Sequence, residues 1–205
     1  MHFFDTIIRM ECLVLCLQIF MWIFITYKVI QNIERFACVF VRGQIPFVPS
    51  ERILRKETVR EILTHWPHAK TVVEIGAGYG GMARKIARQT GAKVYAIENM
   101  PFTFFMLRTL NLLTRTHGCT AIRADAFKYL AQSKQHFDVG IAYLGPGPNK
   151  KLKQFSHKFN AIITLDAPIA GLVPTRTVDL SRYGFTRWDR VPYPHMLFIY
   201  EFSKR

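Results

Sequence analysis

Residues 71–90 read TVVEIGAGYGGMARKIARQT, and no other stretch constrains the fold as tightly. A short apolar run ends in glycines, and the glycines open directly into a segment of helical period. In that setting a glycine-rich loop carries meaning. Gly76 and Gly78 let the backbone approach a ligand closely, since a Cβ at either position would intrude. The helix expected to begin near Gly80 turns unpaired N–H groups toward a carboxylate or phosphate.

The remainder of the chain repeats the strand-then-helix alternation. KVYAIE (93–98), TAIRAD (120–125), FDVGIAYL (137–144) and NAIITLD (160–166) read as further strands. Helical segments are expected at 50–66, 101–116, 126–133 and, after the turn Gly145-Pro146-Gly147-Pro148, at 149–159. Elements of these lengths in this order imply an α/β fold with a mostly parallel sheet covered on both faces. The end differs. FTRWDRV (185–191) and HMLFIYEF (195–202) are joined by PYP with no helix between them, which predicts an antiparallel hairpin at one sheet edge.

Acidic residues stand at three successive strand ends. Glu98 ends the second strand, where a carboxylate can accept hydrogen bonds from both ribose hydroxyls of an adenosine. Two nucleotide classes fit. Gly76, Gly78 and Gly81 satisfy the GxGxxG spacing of dinucleotide sites, while Glu74, Gly76, Gly78 and Gly80 satisfy the acidic-x-Gly-x-Gly-x-Gly spacing of S-adenosylmethionine loops. Glu74, placed to orient the loop or meet the donor's amino group, and Asp125, placed to accept from the adenine amine, favour the methyl donor. Each also has a purely structural use: Glu74 as the partner of an arginine, Asp125 as a cap for AFKYL, and Tyr79 as a surface aromatic.

Charge and hydrophobicity are segregated. Half the chain is hydrophobic and only 20% is charged, which excludes wholesale disorder, yet the formal net charge is +14. Residues 1–50 hold four basic and three acidic side chains, and the rest hold 24 and 11. The apolar excess is N-terminal: Cys12 to Tyr27 is free of charge, close to the roughly 20 residues of a membrane span. A buried amphipathic helix is the alternative; a cleaved signal peptide fits poorly, because Asp5 and Glu11 precede the run and no small-x-small site follows. The flanking cations are Arg9 before the run and Lys28, Arg35, Arg42, Arg52, Arg55 and Lys56 after it. They put the C-terminal domain on the cytoplasmic or matrix-equivalent side of a single-pass anchor. A strongly basic domain so tethered is expected to lie on an anionic lipid surface, and nucleic acid is the less favoured partner. Cys12, Cys16, Cys38 and Cys119 form no CxxC pair, so neither a zinc site nor a disulfide framework is implied.

With these residues in place, residues 71–202 resemble the class I, Rossmann-like S-adenosylmethionine-dependent methyltransferases. A narrower likeness, over about residues 12–200, is to the small membrane-anchored protein-lysine methyltransferases that act on the adenine nucleotide translocase and the ATP synthase c subunit. It is carried by the hydrophobic anchor, Pro46-Phe47-Val48-Pro49-Ser50, EIGAGYGG, Ala142-Tyr143-Leu144-Gly145-Pro146 and Asp166-Ala167-Pro168-Ile169-Ala170-Gly171. In the last stretch, Leu172 stands where that family has tryptophan, and Asp166-Ala167 replaces an aromatic. The resemblance implies a seven-stranded, mostly parallel, Rossmann-like sheet with an antiparallel edge hairpin, occupying residues 46–205 behind an anchor at 1–45. It implies S-adenosyl-L-methionine as co-substrate and no metal. Glu74, Gly76, Gly78, Tyr79 and Gly80 would form the donor loop, Glu98 and Asn99 the ribose side, and Asp125 and Ala126 the adenine side. Pro49 would belong to a segment that closes the donor pocket.

Methyl transfer from a sulfonium needs an aligned nucleophile more than an acid–base pair. Tyr143 is the candidate to orient an acceptor amine, with Asp166 and His195 as weaker ones. Leu144-Gly145-Pro146-Gly147 lacks the Asn/Asp-Pro-Pro-aromatic pattern of enzymes that methylate base amines or glutamine amides. The leading expectation is lysine methylation of a membrane-associated protein. The alternatives are a small amphiphile, such as a lipid headgroup or quinone precursor, and an RNA-binding or RNA-methylating module suggested by Lys150, Lys151, Lys153 and Lys158.

Overall fold

The computed structural model describes residues 2–36, 50, 52–180 and 195–202. The chain divides into two units, Met1–Pro46 and Phe47–Arg205. In the first, one helix, α1 (His2–Phe36), runs without interruption through Lys28. Its Met10–Glu34 portion is long and apolar enough to cross a membrane by length and composition. Lys28 does not break the apolar surface, because its Nζ lies 5.8 Å from the centre of the Phe24 ring. The expected continuation beyond Phe36, and Pro46 to Pro49, lie outside the described residues.

The second unit is built on seven strands: β1 (Thr71–Ile75), β2 (Lys93–Glu98), β3 (Cys119–Arg123), β4 (Phe137–Ala142), β5 (Phe159–Leu165), β6 (Arg176–Asp179) and β7 (Met196–Glu201). They form one sheet in the order β3-β2-β1-β4-β5-β7-β6. Neighbours among β1 to β5 are parallel, and β7 runs antiparallel between β5 and β6. The central strands are apolar almost throughout because helices cover both faces. Successive residues serve opposite cores. Val72, Val94, Val139 and Ile163 join α2 (Arg52–His65), α3 (Gly81–Thr90) and α4 (Pro101–Leu113) on one face. Val73, Ile97, Ala142 and Ile162 join α5 (Ala126–Gln132) and residues 150–158 on the other.

The strand paired with β7 at the sheet edge is RTVD, and FTRWDRV lies outside the described residues. One expectation needs correction. The expected helix at 149–159 is instead a single α-turn, α6 (Pro146–Asn149), followed by a 3₁₀ segment, Lys150–Lys158. The cause is spacing. Asn149, Leu152 and Phe155 are buried at intervals of three, which suits three residues per turn, and Pro146 is preset for the first helical position.

At the amino-terminal edge of the sheet, Asp138 ties three strands together. Its Oδ2 accepts the Lys70 N–H at 2.8 Å, the Thr71 N–H at 2.9 Å and the Thr71 hydroxyl at 3.1 Å, and its Oδ1 accepts from Asn160 Nδ2 at 3.0 Å. Burial pushes this carboxyl up, but the N–H groups of Thr71 and Lys70 outweigh it and hold the group below its ordinary value. A depressed acid stabilises the fold above its unfolded pKa and loses that contribution as pH falls through the folded one. Asp138→Ala is therefore expected to cost about 1–3 kcal/mol at neutral pH in denaturant unfolding, a difference that shrinks in acid.

Candidate active site

Strand order reverses between β1 and β4, and in open α/β sheets ligands bind outside the carboxyl ends of the strands at that point. Ile75 pairs with Ala142, so Gly76 and Tyr143 leave the sheet side by side. The glycine loop crosses this crevice in left-handed backbone: φ is +73° at Gly76, +56° at Gly78 and +71° at Gly80. A Cβ on Gly76 would stand 2.9 Å from Leu144 Cδ2, and one on Gly80 would stand 2.1 Å from Leu107 Cδ1. Glycine is thus required twice over, by conformation and by space.

Side chains from neighbouring strand ends hold the loop. Glu98 Oε2 accepts the Gly78 N–H at 2.8 Å, and Oε1 accepts the Met100 N–H at 2.8 Å. The Gly76 and Ala77 N–H groups both donate to the Ile97 carbonyl. Glu98 is thus first a clasp between β2 and the loop. Glu74 reaches past the loop, and its Oε2 accepts the Ala83 N–H in the first turn of α3 at 2.8 Å. It therefore caps a helix that carries no side-chain cap of its own. Burial raises Glu74 to about 8; the Ala83 N–H, Arg84 and Arg55 oppose the rise, and Glu98 adds to it.

Asp125 caps α5, taking the Phe127 and Lys128 N–H groups at 2.9 and 3.0 Å. Both bonds fall on Oδ1. Asn99 is half-buried beside Glu98, and Ala126 opens α5. Tyr79 is half-buried, and its carbonyl accepts from Arg84 Nη1. Glu74, Gly76, Gly78, Tyr79, Gly80, Glu98, Asn99, Asp125 and Ala126 thus gather at the carboxyl ends of β1 to β3. Pro49 lies outside the described residues.

Across the crevice, Tyr143 packs against the first core. Asp166 and His195, read separately in the sequence, meet here: Oδ2 lies 3.0 Å from Nδ1. Asp166 takes a positive φ of 59°, and its Oδ1 accepts the Met196 N–H at 3.0 Å. The pair sits where β5 ends and β7 begins. Nothing in the sequence signals that a turn residue and a histidine 29 positions later converge, because the β5–β7 ladder makes the contact. Arg55, read in the sequence only as a cation flanking the apolar run, reaches the loop: its Nη1 lies 2.5 Å from where a Cβ on Gly81 would stand. Among the described residues no group of three or more His, Cys, Asp and Glu could hold a metal ion.

No protein-family model and no curated protein sequence matches the chain. Solved structures do. An RNA methyltransferase from Salinibacter ruber, in complex with S-adenosyl-L-homocysteine, aligns with a TM-score of 0.62 at 19% identity, over 77% of this chain and 95% of that one. Precorrin-6y C5,15-methyltransferase from Geobacter metallireducens aligns at 0.56 and 12% identity, over 78% and 93%. TrmK of M. capricolum, also with S-adenosyl-homocysteine, aligns at 0.57 and 10% identity, over 72% and 68%. The second unit therefore has the Rossmann-like methyltransferase fold.

Proposed function

We propose that the chain is an S-adenosylmethionine-dependent N-methyltransferase that acts on lysine of a membrane-associated protein. One observation carries the donor reading: a left-handed glycine loop clasped by Glu98 and backed by Glu74, at the switch point of a sheet whose structural neighbours hold the demethylated donor. Bound there, S-adenosylmethionine would supply an activated methyl group.

The residues present fit that donor. Cβ atoms at Gly76 and Gly80 would collide with Leu144 and Leu107, so glycine at both positions lets the loop keep its tight left-handed course. The carboxylates of Asp125 and Glu98 suit adenine and ribose donors, and Glu74 suits an ammonium. On the acceptor side, Tyr143, Asp166 and His195 border the crevice, and the acidic partner steadies the imidazole as a proton acceptor for an ammonium that must lose its proton before attack.

The lysine assignment rests on the likeness of the anchor, the Pro46–Ser50 segment and the fourth- and fifth-strand ends to the membrane-anchored lysine methyltransferases. Helix α1 serves as the anchor, with the catalytic unit on the cytoplasmic or matrix-equivalent side. The test is methyl transfer from labelled donor to membranes incubated with the full chain. Label in protein, mapped to lysine by mass spectrometry and lost with Glu98→Ala, is the expected result. Label confined to extractable lipid or to nuclease-sensitive RNA would overturn the lysine assignment while leaving the donor reading intact.

A further inference from the structure

Outside α1, the large apolar side chains exposed among the described residues are Leu63, Phe105, Leu112, Leu113 and Val173. Three of the five lie on α4, whose inner side is held to the core by Leu107. Phe105 and Leu112 are two turns apart and share one outward stripe, with Leu113 beside it. Arg108, also exposed, lies one turn from Phe105.

The same layer is one-sided in charge. Helices α2, α3 and α4 together carry eight Lys and Arg and only two acidic residues, Glu57 and Glu61. Both glutamates are buried and paired, with Arg60 and Arg176 respectively. The helices lie side by side. Arg84 on α3 reaches Asn111 on α4, Arg88 Nη2 donates to the Thr114 carbonyl at 2.8 Å, and Arg55 on α2 lies against Gly81. Burial and then the charges of Arg55, Arg52 and Lys56 depress the Lys85 ammonium, so like charges crowd where α2 meets α3. Charge alone does not single out this layer, since the 3₁₀ segment on the opposite face carries four lysines. That segment buries its large apolar groups, Leu152 and Phe155. Outside α1, only the α2–α3–α4 layer among the described residues combines cations with exposed phenylalanine and leucine.

We propose that the α2–α3–α4 layer is a docking face for an anionic lipid surface, with Phe105, Leu112 and Leu113 entering the headgroup boundary and the surrounding cations meeting lipid anions. The occupant follows from the combination. RNA would satisfy the cations and leave the leucines in water, whereas a bilayer offers anions with an apolar layer about 5–10 Å beneath them. Docking on this layer leaves the crevice unobstructed, because it opens at the carboxyl edge of the sheet and not on its face. The proposal stands apart from the catalytic reading: a chain that docked and transferred no methyl would leave it intact.

The test uses the full chain reconstituted into vesicles of phosphatidylcholine, alone or mixed with phosphatidylserine, whose acyl chains are brominated. Phe105→Trp places an indole on α4, and Gln154→Trp, at an exposed position on the opposite layer, is the control. The signal is the fluorescence of each variant less that of the parent in the same lipid. The expected result is quenching of the indole at position 105 in the phosphatidylserine vesicles, lost in phosphatidylcholine alone, at high salt, or when Leu112→Glu and Leu113→Glu are added. Arg108→Ala is expected to lower the ratio of docked to undocked chain about fivefold. No quenching at position 105, equal quenching at position 154, or equal quenching in both lipids would overturn the proposal. So would a saturable change on adding RNA, or one that grows with chain concentration in detergent, if lipid produces none.

Discussion

Glu98→Ala is expected to disable donor binding and to loosen the fold in one step. The carboxylate accepts two buried backbone N–H bonds, from Gly78 and Met100, each at 2.8 Å. Charge-assisted bonds of this kind contribute about 1.5–3 kcal/mol each, and alanine leaves both donors buried without partners. A loss of about 3 kcal/mol or more is expected, which lowers the Tm of a unit this size by about 6–12 °C. The effect on ligand affinity is of similar size, because the clasp holds Gly78 in its left-handed conformation and the ribose acceptor goes with it. Titration of S-adenosyl-homocysteine by calorimetry should show affinity reduced at least about 100-fold, equivalent to about 2.7 kcal/mol. Glu98→Gln should fall between, since an amide keeps one acceptor and turns an NH₂ toward the other N–H. An alanine variant that binds like the parent would remove Glu98 from the donor site.

Glu74 governs the second large effect, which is read as pH dependence. Burial lifts this carboxyl to about 8 from an ordinary value of 4.5. Between those values the folded chain keeps a proton that the unfolded chain has lost. The stability contributed by the neutral carboxyl is therefore full below about pH 4.5, falls as pH rises, and is gone above about pH 8. The slope is at most about 1.4 kcal/mol per pH unit. Glu74→Gln keeps an oxygen for the Ala83 N–H and has no proton to lose. Its stability should be flat through this window and exceed that of the parent at pH 8 by as much as about 4 kcal/mol. Denaturant unfolding at several pH values checks this, and parallel curves for parent and variant would refute it. Where the donor's ammonium meets this carboxyl, binding expels the proton, so donor affinity should rise with pH over the same range in the parent alone.

The sheet was legible because its signals are local. An apolar run ending in Gly76, and KVYAIE ending at Glu98, each declare a strand and its boundary, and β2 occupies the residues read for it. The residues read for a donor site, Pro49 aside, were chosen from the same local signals, since each sits at a strand end or in the segment that follows. What escaped depends on tertiary register. RTVD is a four-residue edge strand with alternating half-buried and exposed positions, too short to outweigh the longer apolar runs downstream. The 3₁₀ segment was read as a helix because a lysine-rich stretch with few apolar residues matches either period until Asn149 is known to turn inward, where its Nδ2 donates to the Ala167 carbonyl at 2.7 Å. Neither the meeting of Asp166 and His195 nor the second task of Glu98 leaves a local trace, because both arise when distant strands align.

The ladder between β1 and β4 also sets an order of events during synthesis. Thr71 and Asp138, which close its lower end, are 67 residues apart, and Leu144 completes its upper end. The crevice therefore cannot exist on a nascent chain until Leu144 has been made. Helix α1 emerges complete before the glycine loop, and long before any residue of that loop has a neighbour to clasp it. If α1 directs the chain to a bilayer, that destination is settled while the crevice is still unformed, so a ligand of the crevice can be met only at the place of delivery.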